Sequence, residues 1–532
     1  MESSKSVNYK FSILHKRLGD FLQDYRQNIV LLGDDAEEIS YLLENYLQHD
    51  KVKGIIYVYT TASFVDRRDF FNSVVISLLS EYFQRIDSLD SLINHVSSCA
   101  ELDNTATLIK NILKKEDLCF TDVLEVINSF ITESGSKCAF IIEEFLTLEK
   151  LFSNLYQEFS KFIILQRNCM VVLVTSNFKD AEKILSTQLN LLFGNFEKVF
   201  LSENVFLDNY IYLKEKLFPL TPSPLTLSFF INIIGSNVIY YDSMAKIIKD
   251  NYNQEREEDS IVDILEEAFY LKEAYFFQKF IKKIDLIRNS FKDYPVVFKI
   301  LSYLSQGYIR KKELIPFKIC DTRELTVKLQ KLCDAQVIEN LGNIYKIKDY
   351  LFSFWVSYVF KPYFLPPLLD TEKRKLLWRK KIQEAIALFK EDFLKDKVKK
   401  VLELMASFKD DVLRTGRSKY RLPSIEKTKI ISYPERSFHF IIGEGKEIVF
   451  VGVKESHAHD SDILDFLERG SNIRGRGVRK IFISLDRVSP TAKLIAKSHK
   501  LLLWDVNEIN NLLRVYNKPG ISFEAPLCQV KS

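Results

Sequence analysis

Four short, unbroken apolar runs constrain this chain most: Asn28–Leu32 (NIVLL), Gly54–Tyr59 (GIIYVY), Cys138–Ile142 (CAFII) and Met170–Thr175 (MVVLVT). Each is short for a buried helix, and each lacks the polar alternation of a strand with one wet face. Long amphipathic stretches such as Phe70–Phe83 and Leu151–Leu165 lie between them. A chain that alternates such runs with helices buries its strands on both faces. The sequence therefore predicts an α/β domain over residues 1–217, built on a parallel sheet with helices on both sides.

The 532 residues leave room for several more domains. Residues 218–290 carry only helical periodicity, with a solvated acidic run at Glu255–Asp259, and read as a helical lid. Residues 291–360 predict three helices (Tyr294–Leu304, Lys311–Ile315 and Thr322–Ala335). A hairpin with its turn at Gly342-Asn343 follows, which is the winged-helix arrangement. Residues 361–429 read as a basic helical connector, with 17 Lys+Arg from Lys361 to Ser424 against nine acidic residues. From 430 to 532 strands and helices alternate again, predicting a second, smaller α/β domain.

Charge divides the chain. Residues 1–360 hold 41 Lys+Arg against 49 Asp+Glu, and the remainder holds 34 against 22, so the C-terminal third is the basic end. Such a patch suits nucleic acid or an acidic partner as well as a solvated face. Seven scattered cysteines without a CxxC pair argue against a zinc or disulfide framework and fit a reducing cytosol. The opening MESSKSVNYK has no apolar core of a signal peptide, and Leu351–Leu369 is interrupted by Lys361 and three prolines. A cytoplasmic protein with no membrane partner is expected.

A nucleotide loop of the form GxxxxGK[ST] needs backbone N–H groups around the phosphates, a Lys to neutralise them and a hydroxyl for magnesium. The corresponding stretch is GDDAEEIS, Gly33 to Ser40, between an apolar run and a helical one. Gly33 and Ser40 match. Glu38 stands at the second Gly and Ile39 at the Lys, and Asp34, Asp35, Glu37 and Glu38 set four carboxylates against a triphosphate. The same acids suit the first turn of a helix. AFIIEE supplies Glu143 and Glu144 at a strand end, where such sites orient magnesium and water, and a further run ends at Thr175-Ser176-Asn177.

The order of these pieces resembles the archaeal-type P-loop ATPases of the STAND/AAA+ group: HKRLGDFLQDY, NIVLLGDDAEEIS, CAFIIEEF, MVVLVTSN, LLFGNFEKVFL, a helical lid and a winged helix ending IYKIKDYLFSFWVSYVF. Tyr345, Asp349, Phe354 and Trp355 stand where that family carries Tyr, Asp and Phe-Trp, and Gly194-Asn195 stands where it carries Gly-Arg. The resemblance covers residues 1–360 and rests on order and spacing. With the Lys, the second Gly and the Arg all lost, it implies a pseudo-ATPase.

Many members of that group end in a restriction-endonuclease-like domain, which residues 430–532 resemble. Its chemistry needs a carboxylate and then (D/E)xK on a strand, to hold magnesium and support the attacking water. In EIVFVGVKES, Lys454 fits the Lys, Gly452 takes the carboxylate position, and Glu444 or Glu447 is left as the upstream acid. His457, His459, Asp460 and Asp462 are irregularly spaced and predict no metal site. Basic residues offer more. Arg469, Arg474, Arg476, Arg479 and Lys480 cluster near glycines, and Arg323, Lys328 and Lys331 form a trio on the expected recognition helix, where Arg310, Lys311 and Lys312 precede them.

The expectation is a non-catalytic P-loop ATPase-like scaffold that needs no cofactor and binds double-stranded DNA or a partner protein through its winged helix and basic C-terminal region. The alternative is an active ATP-dependent switch. There Ser40, Glu143 and Glu144 hold ATP and magnesium, and another subunit completes the site. A pure protein-interaction module is the third reading.

Overall fold

The computed structural model describes residues 11–33, 35–63, 66–189, 196–201, 206–360, 371–415, 418–471, 473 and 478–521. The chain divides into two compact units, Met1–Glu203 and Asn204–Ser532. Helix Phe206–Leu217, which the sequence reading grouped with the first domain, belongs to the second unit because it packs on helices Pro224–Ile234 and Val238–Asn251.

In the first unit, strands β1 (Asn28–Leu32), β2 (Ile55–Thr61), β3 (Lys137–Glu143), β4 (Cys169–Thr175) and β5 (Phe196–Phe200) form a parallel sheet in the order β2-β3-β4-β1-β5. Every residue of β1 and β4 is buried, which explains why both read as unbroken apolar runs. Helices such as Arg67–Phe83, Phe120–Ser134 and Leu155–Leu165 cover the sheet. Phe70, Phe120, Phe152 and Phe159 meet among them, the Phe120–Phe152 centroids lying 5.4 Å apart. Because β1 lies between β4 and β5, the carboxyl ends of β3, β4 and β1 stand side by side, the place where open α/β sheets take ligands.

The second unit opens with the helices already named, followed by Glu257–Phe269 and Tyr275–Ser290. Then come Tyr294–Ser305, Lys311–Leu314, Thr322–Asp334 and the antiparallel pair β6 (Ile338–Asn340) and β7 (Tyr345–Ile347). Helices Tyr350–Trp355, Thr371–Phe393 and Lys397–Ala406 lead into β8 (Asp411–Thr415), β9 (Ser418–Leu422) and β10 (Ile425–Tyr433). β8, β9 and the first half of β10 lie where a helical connector was expected. β10 is exposed along most of its length, so its side chains carry no core pattern.

β10 edges a second five-stranded sheet with β11 (Phe438–Gly445), β12 (Ile448–Lys454), β13 (Arg479–Ser484) and β14 (Leu502–Trp504), in chain order. The first two pairings are antiparallel and the last two parallel. Helices Asp460–Ser471 and Pro490–Ser498 make the crossovers between the parallel strands. Among the described residues, no helix is long and apolar enough to cross a membrane.

The β6–β7 turn is docked rather than free. Gly342 bridges to Leu413 of β8, and Asn343 N–H donates to Val412 O at 3.2 Å. Gly342 has φ +113°, and a Cβ there would lie 1.9 Å from Val412 O, so only glycine fits. Beside it, Arg310 donates to both carboxylate oxygens of Asp411 (2.8 and 2.6 Å), and Tyr516 Oη donates to Asp411 at 2.7 Å. Burial opposes the charge on Arg310, but Asp411 and Glu313 outweigh it and raise its pKa. Burial likewise opposes the Asp411 carboxylate, which Arg310 and Tyr516 nonetheless hold below the usual range.

Candidate functional site

The expected phosphate loop forms at the end of β1, but it is short. β1 ends at Leu32 and helix Ala36–His49 begins three residues after Gly33, so Glu37, Glu38, Ile39 and Ser40 are already helical. A wrapping loop keeps the residues before the Lys and hydroxyl positions, here Ala36 to Glu38, out of the helix so that successive N–H groups point at phosphate. Here the Asp35 carboxylate accepts from Glu37 N–H at 2.9 Å, and the chain's own anion occupies the helix N-terminus. Ile39, in place of the Lys, is 3% exposed and folds back over Gly33. A Cβ on Gly33 would lie 2.6 Å from Ile39 Cγ1, so an aliphatic side chain fills the cradle. The residues present do not fit a nucleotide triphosphate.

The polar frame around that cradle survives in part. The Ser40 hydroxyl lies 3.1 Å from Glu143 Oε2 and 3.0 Å from Ala36 O, and its single proton serves one or the other. Burial raises the pKa of Glu143. Glu44 and Glu144 reinforce the shift, while hydrogen bonds from Tyr59 and Ser40 oppose it. Glu144 has a left-handed backbone (φ +49°), and its pKa is also raised by burial, against hydrogen bonds from Ser176. Thr175 Oγ1 accepts from Asn177 N–H at 3.1 Å, and Asn177 caps helix Phe178–Thr187, so both serve the strand-end turn. Gly194 and Asn195 lie outside the described residues.

The second expected site is closed as well. Phe450, Gly452 and Lys454 share one face of β12, and a Cβ on Gly452 would meet Phe466 Cδ2 at 2.6 Å. Phe440, Phe450 and Phe466 stack nearly parallel, with 4.8 Å between the Phe450 and Phe466 centroids, so aromatic core fills the carboxylate position. Lys454, 8% exposed, donates to Arg436 O at 2.7 Å and pairs with Asp462 at 3.1 Å. Glu447 pairs with Arg421 at 3.0 Å and with Arg479 at 3.3 Å. Asp460 accepts from Thr491 at 2.8 Å. Among the described residues, no group of three or more His, Cys, Asp or Glu is arranged to hold a metal ion.

The basic trio separates. Arg323 and Lys331 are exposed on helix Thr322–Asp334, whereas Lys328 is 8% exposed, with Nζ 2.9 Å from Asp293 and 3.3 Å from Glu324. Lys328 follows Leu325 by three positions, which turns it toward the inner stripe and corrects the expectation of one shared outer face. Arg310, read as a surface cation, is the centre of the buried network with Asp411. The sequence offered no sign of that pairing across 101 positions. Arg479 is committed to Glu447 and to Arg421 O, and Arg474 and Arg476 lie outside the described residues. Asp349 accepts from Phe352 N–H at 2.9 Å and holds Tyr240 and Lys283, a structural post for the family-like stretch.

No family model and no curated protein matches the sequence. Among solved structures, the chain is similar to a Walker-type ATPase of Pyrococcus abyssi, at 16% identity and TM-score 0.46, covering 65% of this chain and 95% of that one. It is also similar to the ORC2 protein of Aeropyrum pernix in its ADPNP and ADP complexes, at 8% identity and TM-score 0.39, covering 71% and 93%. Cdc6p from Pyrobaculum aerophilum gives 11% identity and TM-score 0.34 over 70% and 94%. At these values the similarities describe chain paths and not function.

Proposed function

We propose that this chain is a P-loop ATPase-like scaffold that no longer handles nucleotide and acts by binding double-stranded DNA. One observation carries the reading. The helix that should open a phosphate loop starts early, is capped by Asp35 and folds Ile39 onto Gly33. The DNA-facing element would be helix Thr322–Asp334 of a winged helix, presenting Arg323 and Lys331. The tip of the wing is committed to β8, so the hairpin would not reach a groove. The excess of 34 basic over 22 acidic residues beyond position 360 supports an electrostatic contribution from the C-terminal third, in a restriction-endonuclease-like domain kept as a binding surface.

One contact favours a second reading, an ATP-dependent switch. Ser40 and Glu143 still meet at 3.1 Å, as a metal-holding pair would, and another subunit would have to supply the missing cation. Titrating the full chain with a fluorescent ATP analogue and magnesium tests the choice. No binding at millimolar nucleotide is expected. Magnesium-dependent binding that weakens in Glu143→Gln would overturn the scaffold. For DNA, duplex binding that falls with salt and drops further in the Arg323→Glu, Lys331→Glu double variant is expected. Unchanged binding in that variant would remove the helix from the interface.

A further inference from the structure

Helix Thr371–Phe393 has a buried side and an outer side that differ in kind. Trp378, Ile382, Ile386, Phe389 and Phe393 recur at helical spacing and are buried. This stripe packs on helices Pro224–Ile234 and Glu257–Phe269, with Phe389 5.3 Å from Phe229 and Arg379 bridging Asp263 and Glu266. About 140° away, at 100° per residue, an exposed stripe runs through Leu377, Lys381, Glu384, Leu388 and Glu391. Leu377 is 49% and Leu388 67% exposed, and Leu376 beside them is 69% exposed. Among the described residues, Lys381, Glu384 and Glu391 are exposed and have no ion-pair partner.

Charge along this helix is ordered. Residues 371–382 hold six Lys+Arg against Glu372, and residues 383–393 hold Glu384, Glu391 and Asp392 against Lys390. A second helix laid parallel would set like charge on like. Laid antiparallel about a two-fold axis between Ile382 and Gln383, residues equally distant from that midpoint meet. Leu377 then meets Leu388 twice, Lys381 and its neighbour Lys380 meet Glu384 twice, and Glu391 lies within one residue of Lys373. The acids and the leucine rows oppose a nucleic-acid backbone on the same face. We propose that a second copy of this chain docks antiparallel on the outer face of helix Thr371–Phe393, making a self-complementary homodimer contact.

A single helix pair falls at the small end of specific interfaces, below ~1,200 Å² in total, so the dimer is expected to be weak and concentration-dependent. Sedimentation equilibrium on the full chain should show a monomer–dimer mixture that shifts toward monomer with salt. Lys381→Glu and Glu384→Lys should each be monomeric, because each places like charges opposite one another in both halves of the contact. Mixed in equal amounts, the two variants should pair again, since each now complements the other. All these positions are exposed, so the variants should keep the wild-type unfolding curve. A wild type that stays monomeric to roughly 100 μM, in the range where small interfaces of this class associate, would overturn the proposal. So would a dimer that survives Lys381→Glu, a mixture that fails to pair, or a Lys381→Glu effect on DNA binding alone.

Discussion

The carboxyl end of the first sheet and the middle of the second sheet reach the same outcome by different routes. At Gly33 an aliphatic side chain from the next helix covers the glycine, yet Ser40 and Glu143 keep their contact beneath it. At Gly452 the aromatic core itself has moved in, and the neighbouring Lys454 is spent on Arg436 O and Asp462. The first has Ile39 in place of a cation and a short loop, beside the Ser40–Glu143 contact. The second has no space for a carboxylate at Gly452. Covering a glycine with Ile39 leaves the surrounding chemistry separable from the packing, whereas filling the position with Phe466 makes the packing and the loss one event.

That difference can be broken most forcefully at Gly452. Restoring the acid by Gly452→Asp forces a Cβ to 2.6 Å from the Phe466 ring and buries a carboxylate among Phe438, Phe450 and Phe466. Overpacking and burial of an unpaired charge together should cost ~4 kcal/mol or more. Denaturant unfolding of the full chain should show a large fall in the midpoint of the second unit, without any magnesium-dependent DNA cleavage. A stable variant with a wild-type midpoint would mean that the aromatic stack yields, and that the site is closed only in its resting packing.

Next in size is the matching restoration at the first site. Ile39→Lys gives up the burial of an Ile side chain, worth ~2 kcal/mol, although the new ammonium can turn toward Glu38 and Glu143 and recover part of that. Stability should fall by less than at Gly452. Binding of a fluorescent ATP analogue should not appear, because the helix still starts at Ala36 and Asp35 still caps it. If millimolar ATP did bind to Ile39→Lys, the early helix start would be no obstacle, and the two sites would differ less than their packing suggests.

Much of this was readable in advance, for physical reasons that also explain the gaps. β1, β3 and β4 are buried on both faces and therefore appear as unbroken apolar runs, whereas β2, at the sheet edge, is only partly buried at Ile56, Tyr59 and Thr61. β10, with the sequence IEKTKIISY, is paired on one side and exposed for most of its length, so neither composition nor alternation marks it as a strand. The replacement of the loop Lys by Ile39 is plain in the sequence. That Ile39 lies on Gly33 follows from a helix start that Asp35 caps, four residues before Ile39. Lys328 and Arg310 carry charge like any surface residue. Their near partners Glu324 and Glu313 stand at helical spacing, but the partners 35 and 101 positions distant, Asp293 and Asp411, are visible only in the fold.

The smallest expected effect compares the two units through their buried carboxylates. Glu143 has its pKa raised by burial, so between its ordinary value near 4.5 and its higher folded value the native state holds more protons than the unfolded chain. Its contribution is present at acid pH and is lost as pH rises through that window. Asp411 is shifted the other way: the Arg310 and Tyr516 hydrogen bonds outweigh burial and hold it below its ordinary 3.8. Its contribution is present above that value and is lost as pH falls through the folded pKa. Unfolding followed against pH with a probe in each unit, in the wild type and in Glu143→Gln and Asp411→Asn, should therefore show contributions of opposite sign from these two carboxylates. Glu143→Gln should flatten the slope of the first unit above pH 4.5 and leave the second unchanged. A Glu143 contribution that instead rose across that window would mean that Glu143 is held ionised, which would return a charged metal-holding pair to the site beneath Ile39.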